Sequence, residues 1–169
     1  MPVVGLISDT HGLLRPEALS ALSGSDLIIH AGDVGKPEIL DGLRAVAPVV
    51  AVRGNVDTAG WAAALPETAV AEIGSTLIYA LHDINQLDLD PAVAGFRVVV
   101  FGHSHQPSRV EKSGVLYINP GSAGPRRFKL PITVARLDLS REPLQPNFIH
   151  LDISTHNPEP AREARYDET

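Results

Sequence analysis

Short apolar runs recur along this chain, and several lead directly to polar residues that can bind metal. Val3–Ile7 runs into Ser8-Asp9-Thr10-His11, and Leu27–Ile29 leads to Gly32-Asp33. Val49–Val52 leads to Gly54-Asn55, Leu77–Leu81 to His82, and Val98–Phe101 to Gly102-His103-Ser104-His105. Runs of this length, rich in Val and Ile, read as buried strands. Helical patterns separate the first three. Pro16-Glu17 opens one, with Leu19 and Leu22 on a face, and Ser23-Gly24-Ser25 ends it. Pro37-Glu38 opens the next, which carries Ile39, Leu40, Leu43 and Val46. Alternating strand and helix implies a parallel sheet with right-handed crossovers.

The second half is richer in strands. Val70–Ile73 and Thr76–Leu81 flank Gly74-Ser75, and Val110–Lys112 and Val115–Ile118 flank Ser113-Gly114. Both read as hairpins. Leu87–Ala94 reads as a short helix and Ile132–Leu137 as a half-buried strand. Pro143–His150 reads as a last edge strand, since its prolines exclude a central position. The expectation is an α/β fold, with two sheets or one mixed sheet covered by helices.

At 169 residues the chain suits one domain, 1–151, followed by a polar tail, 152–169, broken by Pro158 and Pro160. With 5% aromatic residues the core must come mostly from Val, Leu, Ile and Ala. The absence of cysteine excludes disulfides, a thiol nucleophile and thiolate metal sites. No run approaches the ~20 apolar residues of a membrane span. The N-terminus lacks a signal-peptide pattern, so a cytoplasmic protein is expected. A net charge of −6 argues against an extended nucleic-acid surface. It leaves room for a local phosphate site, because a bound metal can invert the charge there.

In open α/β sheets, ligands gather beyond the carboxyl ends of the strands. The polar groups above are therefore expected to converge, with Gly32, Gly54 and Gly102 allowing tight turns and close approach. The candidate metal ligands are Asp9, His11, Asp33, Asn55, His82, His103 and His105. Each motif alone is common, since a lone Gly-Asp is usually a turn. Together these donors exceed the needs of one tetrahedral zinc. They suit two divalent transition-metal ions, manganese first, with nickel, iron or zinc as alternatives. Two ions ~3.5–4 Å apart need a bridging carboxylate, and Asp33, between the flanking clusters, is the natural one. A serine hydrolase is disfavoured, because no Gly-x-Ser-x-Gly elbow occurs.

The ordered set Asp-x-His, Gly-Asp, Gly-Asn, His and Gly-His-x-His resembles the calcineurin-like metallophosphoesterase superfamily. Ile7-Ser8-Asp9-Thr10-His11, Gly54-Asn55-Val56-Asp57 and Asn119-Pro120-Gly121-Ser122 resemble its small bacterial and archaeal phosphodiesterase branch, over about residues 3–138. The resemblance implies a four-layer α/β/β/α sandwich, two mixed sheets flanked by helices. It implies that Asp9, His11, Asp33 and His105 hold one metal and Asp33, Asn55, His82 and His103 the other. Asp33, Asn55 and His103 are then the catalytic residues, and a metal-bridging hydroxide attacks the phosphorus of a small or exposed phosphodiester in line.

Two positions depart from relatives. His82-Asp83-Ile84 stands where many carry His-Gly-His, and Val56 cannot protonate a leaving group as a histidine there can. Asp57 and Asp83 are candidates for outer-shell contacts, Asn119 for a turn near the site, and Arg126, beside Arg127, for a phosphate clamp. His30 is a further outer-shell candidate; His150 and His156 read as structural, and Trp61 as a packing anchor. Two alternatives remain. One is a phosphomonoesterase, and the other a non-catalytic scaffold like the retromer subunit of this fold. The resemblance also leaves room for a homodimer formed through an edge strand or an apolar patch.

Overall fold

The computed structural model describes residues 2–151; the tail expected at 152–169, with His156, lies outside the described residues. Among the described residues, ten strands form two five-stranded sheets. In the first, β1 (Val3–Ile7), β2 (Leu27–His30) and β3 (Val49–Ala51) run parallel, linked by α1 (Pro16–Leu22) and α2 (Pro37–Arg44). The late strands β9 (Thr133–Asp138) and β10 (Pro146–His150) join antiparallel beyond β1, giving the order β10-β9-β1-β2-β3. Pro146 starts the edge strand, where its missing N–H costs no internal ladder bond.

The second sheet contains β4 (Thr68–Ile73), β5 (Thr76–Leu81), β6 (Val98–Val100), β7 (Ser108–Lys112) and β8 (Val115–Asn119). Its order is β4-β5-β6-β8-β7. Both expected hairpins are present, β4 with β5 and β7 with β8, while β5, β6 and β8 run parallel. Each sheet is therefore mixed.

Period-two alternation sorts the side chains into layers. Val4, Leu6, Ile29, Ala135 and Leu137 of the first sheet meet Ile78, Ala80, Val98, Val100, Leu116 and Ile118 of the second in a central apolar core. On the outer face of the first sheet, Ile7, Ile28 and Val134 pack on Ala18 and Leu22 of α1 and Ile39, Leu40 and Leu43 of α2. Trp61 packs at the margin of that cluster. On the outer face of the second, Tyr79, Leu81, Val99 and Val115 are covered by Phe96, Ile84, Leu87 and Leu89. These are the layers of an α/β sandwich, with a thin fourth layer.

The expected helix over Leu87–Ala94 is shorter than its pattern. Only α3 (Pro91–Ala94) is α-helical, preceded by a 3₁₀ turn at Ile84–Gln86. The Asp90 carboxylate accepts the amide protons of Ala92 and Val93, and Pro91 holds the first turn. Together they start the helix late, because a residue before proline avoids helical geometry. No helix among the described residues is long and apolar enough to cross a membrane.

Candidate metal centre

Five of the seven candidate ligands form one cluster, four of them buried and His11 partly so. Asp9 lies at its middle. Its Oδ2 accepts the Ser8 hydroxyl proton at 2.7 Å and the His103 amide proton at 3.1 Å. Its Oδ1 is buried with no hydrogen-bond partner. That oxygen stands 3.4 Å from His105 Nε2 and 3.8 Å from the Nε2 atoms of both His11 and His82. Asp33 Oδ2 lies 3.2 Å from His82 Nε2 and 3.6 Å from His11 Nε2, so it too faces both sides of the cluster. Two overlapping groups can each hold a cation, Asp9-His11-His105 and Asp9-Asp33-His82, with ligand atoms within 4.8 Å of one another.

The donor chemistry fits divalent metal. His82 Nδ1 is 2.7 Å from the Ala31 carbonyl, which can only accept, so that nitrogen carries the proton. The Nε2 lone pair then points at two carboxylates and finds no hydrogen bond. Despite the 3.2 Å approach to Asp33 Oδ2, the alignment is wrong for one. Unpartnered buried polar atoms cost stability, and a cation between them removes that cost. His11 and His105 bring their Nε2 atoms to 3.3 Å, which a shared cation also relieves.

The same crowding shifts the ionisation of these side chains in the absence of metal. Burial pushes the Asp33 carboxyl up, but His82, the Val56 amide and His11 outweigh it and hold it down at about 2. Burial disfavours charge on His82, yet Asp33, Asp9 and the Ala31 carbonyl raise its pKa above the ordinary histidine value. For His11 burial prevails over Asp33 and Asp9, and nearby His105 and Arg127 lower it further.

The other two candidates stand on a wall. Asn55 and His103 are exposed, and with His82 they line a cleft of about 400 Å³ that also meets Arg53, Asp83 and Asp88. The His103 ring stands edge-on to His82, centroids 5.1 Å apart.

Backbone geometry marks the same residues. Asp9, His11, Asp33, His103 and His105 all have positive φ, between 48° and 75°; outside them only Ser113 and Phe128 share this among described non-glycine residues. Left-handed conformations are uncommon for such side chains and concentrate at functional sites. Two glycines make the packing feasible. A Cβ on Gly54 would overlap the amide and carboxylate of Asp33, and one on Gly102 would overlap the Ser8 hydroxyl and Asp9 Oδ2.

The weaker candidates divide. Asp57 is buried and accepts amide protons from Val34, Gly35 and Gly54, tying the Asp33 loop to the Asn55 loop. Asn119 donates to the Gly102 carbonyl and the Ser104 hydroxyl, and accepts from the Gly121 amide, so it pins the loop carrying His103 and His105. Asp83 lines the cleft and accepts the Asn85 amide proton at the 3₁₀ turn. Arg126 donates to the Leu130 carbonyl of its own loop; it is Arg127 whose charge reaches His11. His150 sits exposed on β10.

Two supports, Ser8 and Ser122, escaped sequence reasoning, and a third, His30, was named there only as a candidate. The hydroxyls of Ser8 and Ser122 bind Asp9, the second through its carbonyl at 3.0 Å. His30, only suspected as an outer-shell residue, is fully buried and spans two ligand loops. Its Nδ1 accepts the Gly32 amide proton at 3.1 Å, so its Nε2 carries the hydrogen and donates to the Thr10 hydroxyl at 3.0 Å. The Thr10 hydroxyl in turn donates to the Val34 carbonyl at 2.9 Å.

Burial, outweighing the pull of Asp9 and Asp57, takes the His30 pKa from 6.5 to about 4. Between those values the unfolded chain binds a proton that the folded chain refuses. Stability present above pH 6.5 therefore falls by about 3 kcal/mol on acidification to pH 4. Urea denaturation at pH 7 and pH 5 checks this, with His30→Gln expected to show the flatter profile. Parallel profiles would contradict it.

Comparison with known proteins follows the same lines. Residues 3–142 match the calcineurin-like phosphoesterase superfamily domain. A probable metallophosphoesterase of Methanothermobacter thermautotrophicus is 36% identical over 149 residues, covering 80% of this chain and 86% of that protein. Among solved structures, Vps29 of Chaetomium thermophilum superposes with a TM-score of 0.70 at 20% identity, covering 88% of this chain and 95% of its own. An archaeal phosphodiesterase superposes with a TM-score of 0.69 at 21% identity, covering 87% and 99%.

Proposed function

The chain belongs to the calcineurin-like phosphoesterase superfamily, and on that premise we propose that it is a phosphodiesterase working with two divalent ions, manganese by preference. The observation that carries this reading is the buried pair of unpartnered ligand atoms, Asp9 Oδ1 and His82 Nε2, among three further donors. Asp9, His11, Asp33 and His105 would hold one ion, and Asp33, Asn55, His82 and His103 the other, with Asp9 Oδ1, 3.4 Å from His105 Nε2 and 3.8 Å from His82 Nε2, facing both. When bound, such ions lower the pKa of water and neutralise phosphoryl oxygens.

The chain's own residues supply the rest. The Ala31 carbonyl fixes the His82 tautomer, so Nε2 is presented as a lone pair. Ser8 and the His103 amide hold one oxygen of Asp9 and leave the other toward the ligands. Asn55 and His103, exposed on the cleft, would contact the phosphoryl group as it enters. Val56, exposed beside Asn55, has no proton to give a leaving alcohol. That favours esters with good leaving groups or a proton drawn from water.

The fold is shared with Vps29 and so does not decide between enzyme and scaffold. The donor set favours the enzyme: all seven positions keep side chains able to bind metal. Diester preference is tested with a matched aryl diester and monoester and manganese-loaded protein. The diester should be hydrolysed with at least tenfold higher kcat/KM, about 1.4 kcal/mol of transition-state discrimination. A monoester preference would replace the reading with a phosphomonoesterase.

A further inference from the structure

The cations of this acidic chain are used unevenly. Arg44, Arg53, Arg97, Arg109 and Arg141 each meet a carboxylate, at 3.2 to 3.7 Å. Lys36, Arg127 and Lys129 are exposed and make no ion pair among the described residues. Lys36 and Arg127 lie at one rim of the metal centre, on the side of His11. The stem of Lys36 lies over Gly12, its Cε 3.1 Å from where a Cβ on that glycine would stand.

Arg127 and Lys129 belong to a loop anchored on the centre's own backbone. Ser122 Oγ donates to the Asp9 carbonyl at 3.0 Å, and the Ala123 amide donates to the Ser8 carbonyl at 3.0 Å. Gly124 lies so close to the Asp9 and Thr10 carbonyls that a Cβ would overlap them, and its own carbonyl accepts from Arg15 Nη2 at 3.2 Å. The loop thus emerges from a fixed root beside His11, and the Arg127 charge is felt at that ring.

Between the two cations stands Phe128. It is 87% exposed and holds φ at 54°. A large aromatic ring so placed contributes little to the core, and its backbone conformation is an uncommon one. What it offers is a free π-face flanked by positive charge. Every nucleobase can stack on such a face, and a guanidinium matches phosphate geometry.

Resting on the phosphodiesterase reading, we propose that this rim is a nucleotide subsite: Phe128 stacks on a base of a short single-stranded oligonucleotide, while Lys36 and Arg127 take the phosphate next to the one at the metal centre. The net charge of −6 confines the contact to one or two nucleotides at a strand end, because an acidic chain repels a longer run of phosphates.

The test is binding, read by fluorescence anisotropy with end-labelled thymidine trimers, one intact and one abasic. Protein without added metal is used first, so that no turnover interferes, and the titration is repeated with manganese. Wild type should bind the intact trimer about tenfold more tightly than the abasic one, a difference base–aromatic stacking can supply. Phe128→Ala should bring the two within about twofold, since the gain comes from stacking alone. Phe128 is exposed, so the variant should fold as wild type does, and circular dichroism checks it. Arg127→Gln should weaken both trimers alike and reduce the salt dependence by about one phosphate contact. Equal binding of the two trimers by wild type, or discrimination that survives Phe128→Ala, would overturn the subsite. Base discrimination without diester hydrolysis by the manganese-loaded protein would instead overturn the phosphodiesterase reading.

Discussion

Asp9→Asn should leave the protein folded and stop it loading metal. The reason is the division of labour between the two carboxylate oxygens. Oδ2 is a structural acceptor for Ser8 and the His103 amide, and the asparagine oxygen can take over that task. Oδ1 is the orphan, common to both donor groups, and in the variant an NH₂ that cannot bind a cation replaces it. Without metal, the variant also loses a buried negative charge close to the same histidines that face Asp33.

Metal-free Asp9→Asn is therefore expected to melt at or above the wild-type temperature. Added manganese should raise the melting temperature of wild type by mass action and leave the variant unmoved. Diester turnover should fall by roughly 10³-fold or more, because loss of a mere outer-shell partner already costs ~10–100-fold. Thermal unfolding with and without manganese, beside steady-state rates, reads both effects. Metal-induced stabilisation that persists in the variant would contradict the shared role of Asp9.

The second large effect is expected from a single methyl group. Gly54 is buried, and its amide donates to Asp57 Oδ2 at 2.9 Å. In Gly54→Ala the new Cβ meets the Asp33 amide and Oδ1, and Oδ1 is the oxygen that receives the Val56 amide proton at 3.0 Å. Neither backbone can yield without moving a ligand loop. The variant should lose ~1–3 kcal/mol of stability, the usual cost of overpacking. A ligand displaced by ~1 Å should cost a further ~10²-fold in turnover. Gly60→Ala is the control, since nothing lies within 4 Å of a Cβ there. Urea denaturation and initial rates of the pair decide, and equal behaviour of the two variants would remove the steric account.

The contrast between Gly54 and Gly60 also shows where sequence reasoning holds and where it stops. Strands, hairpins and both crossover helices of the first sheet follow from apolar periodicity and proline placement, because those are local properties. The return of β9 and β10 to the first sheet does not, since nothing local in Thr133–Asp138 says which sheet it joins. The short α3 was hidden because the Leu87–Leu89 pattern looks helical while Asp90 and Pro91 start the helix late.

At the site, the gathering of Asp9, His11, Asp33, His82 and His105 and the need for Gly32, Gly54 and Gly102 were legible, the first because each follows an apolar strand and the second because a close approach requires glycine. The left-handed backbone of Asp9, His11, Asp33, His103 and His105 was not, because no residue type there demands it. The joining of two loops by Asp57 and the hydrogen-bond chain from His30 through Thr10 to Val34 link residues 20 or more positions apart, so no local spacing signals them. The Ser122 anchor on Asp9, 113 positions away, is concealed in the same way.

The most direct test of a metal-dependent phosphodiesterase is the rate of hydrolysis of a chromogenic phosphodiester by chelator-stripped protein as manganese is returned. The stripped protein should be inactive, and activity should rise with added metal and level off once two ions are bound per chain. Undiminished hydrolysis by stripped, metal-free protein would contradict the account, as would a fully loaded and folded protein that hydrolyses no diester.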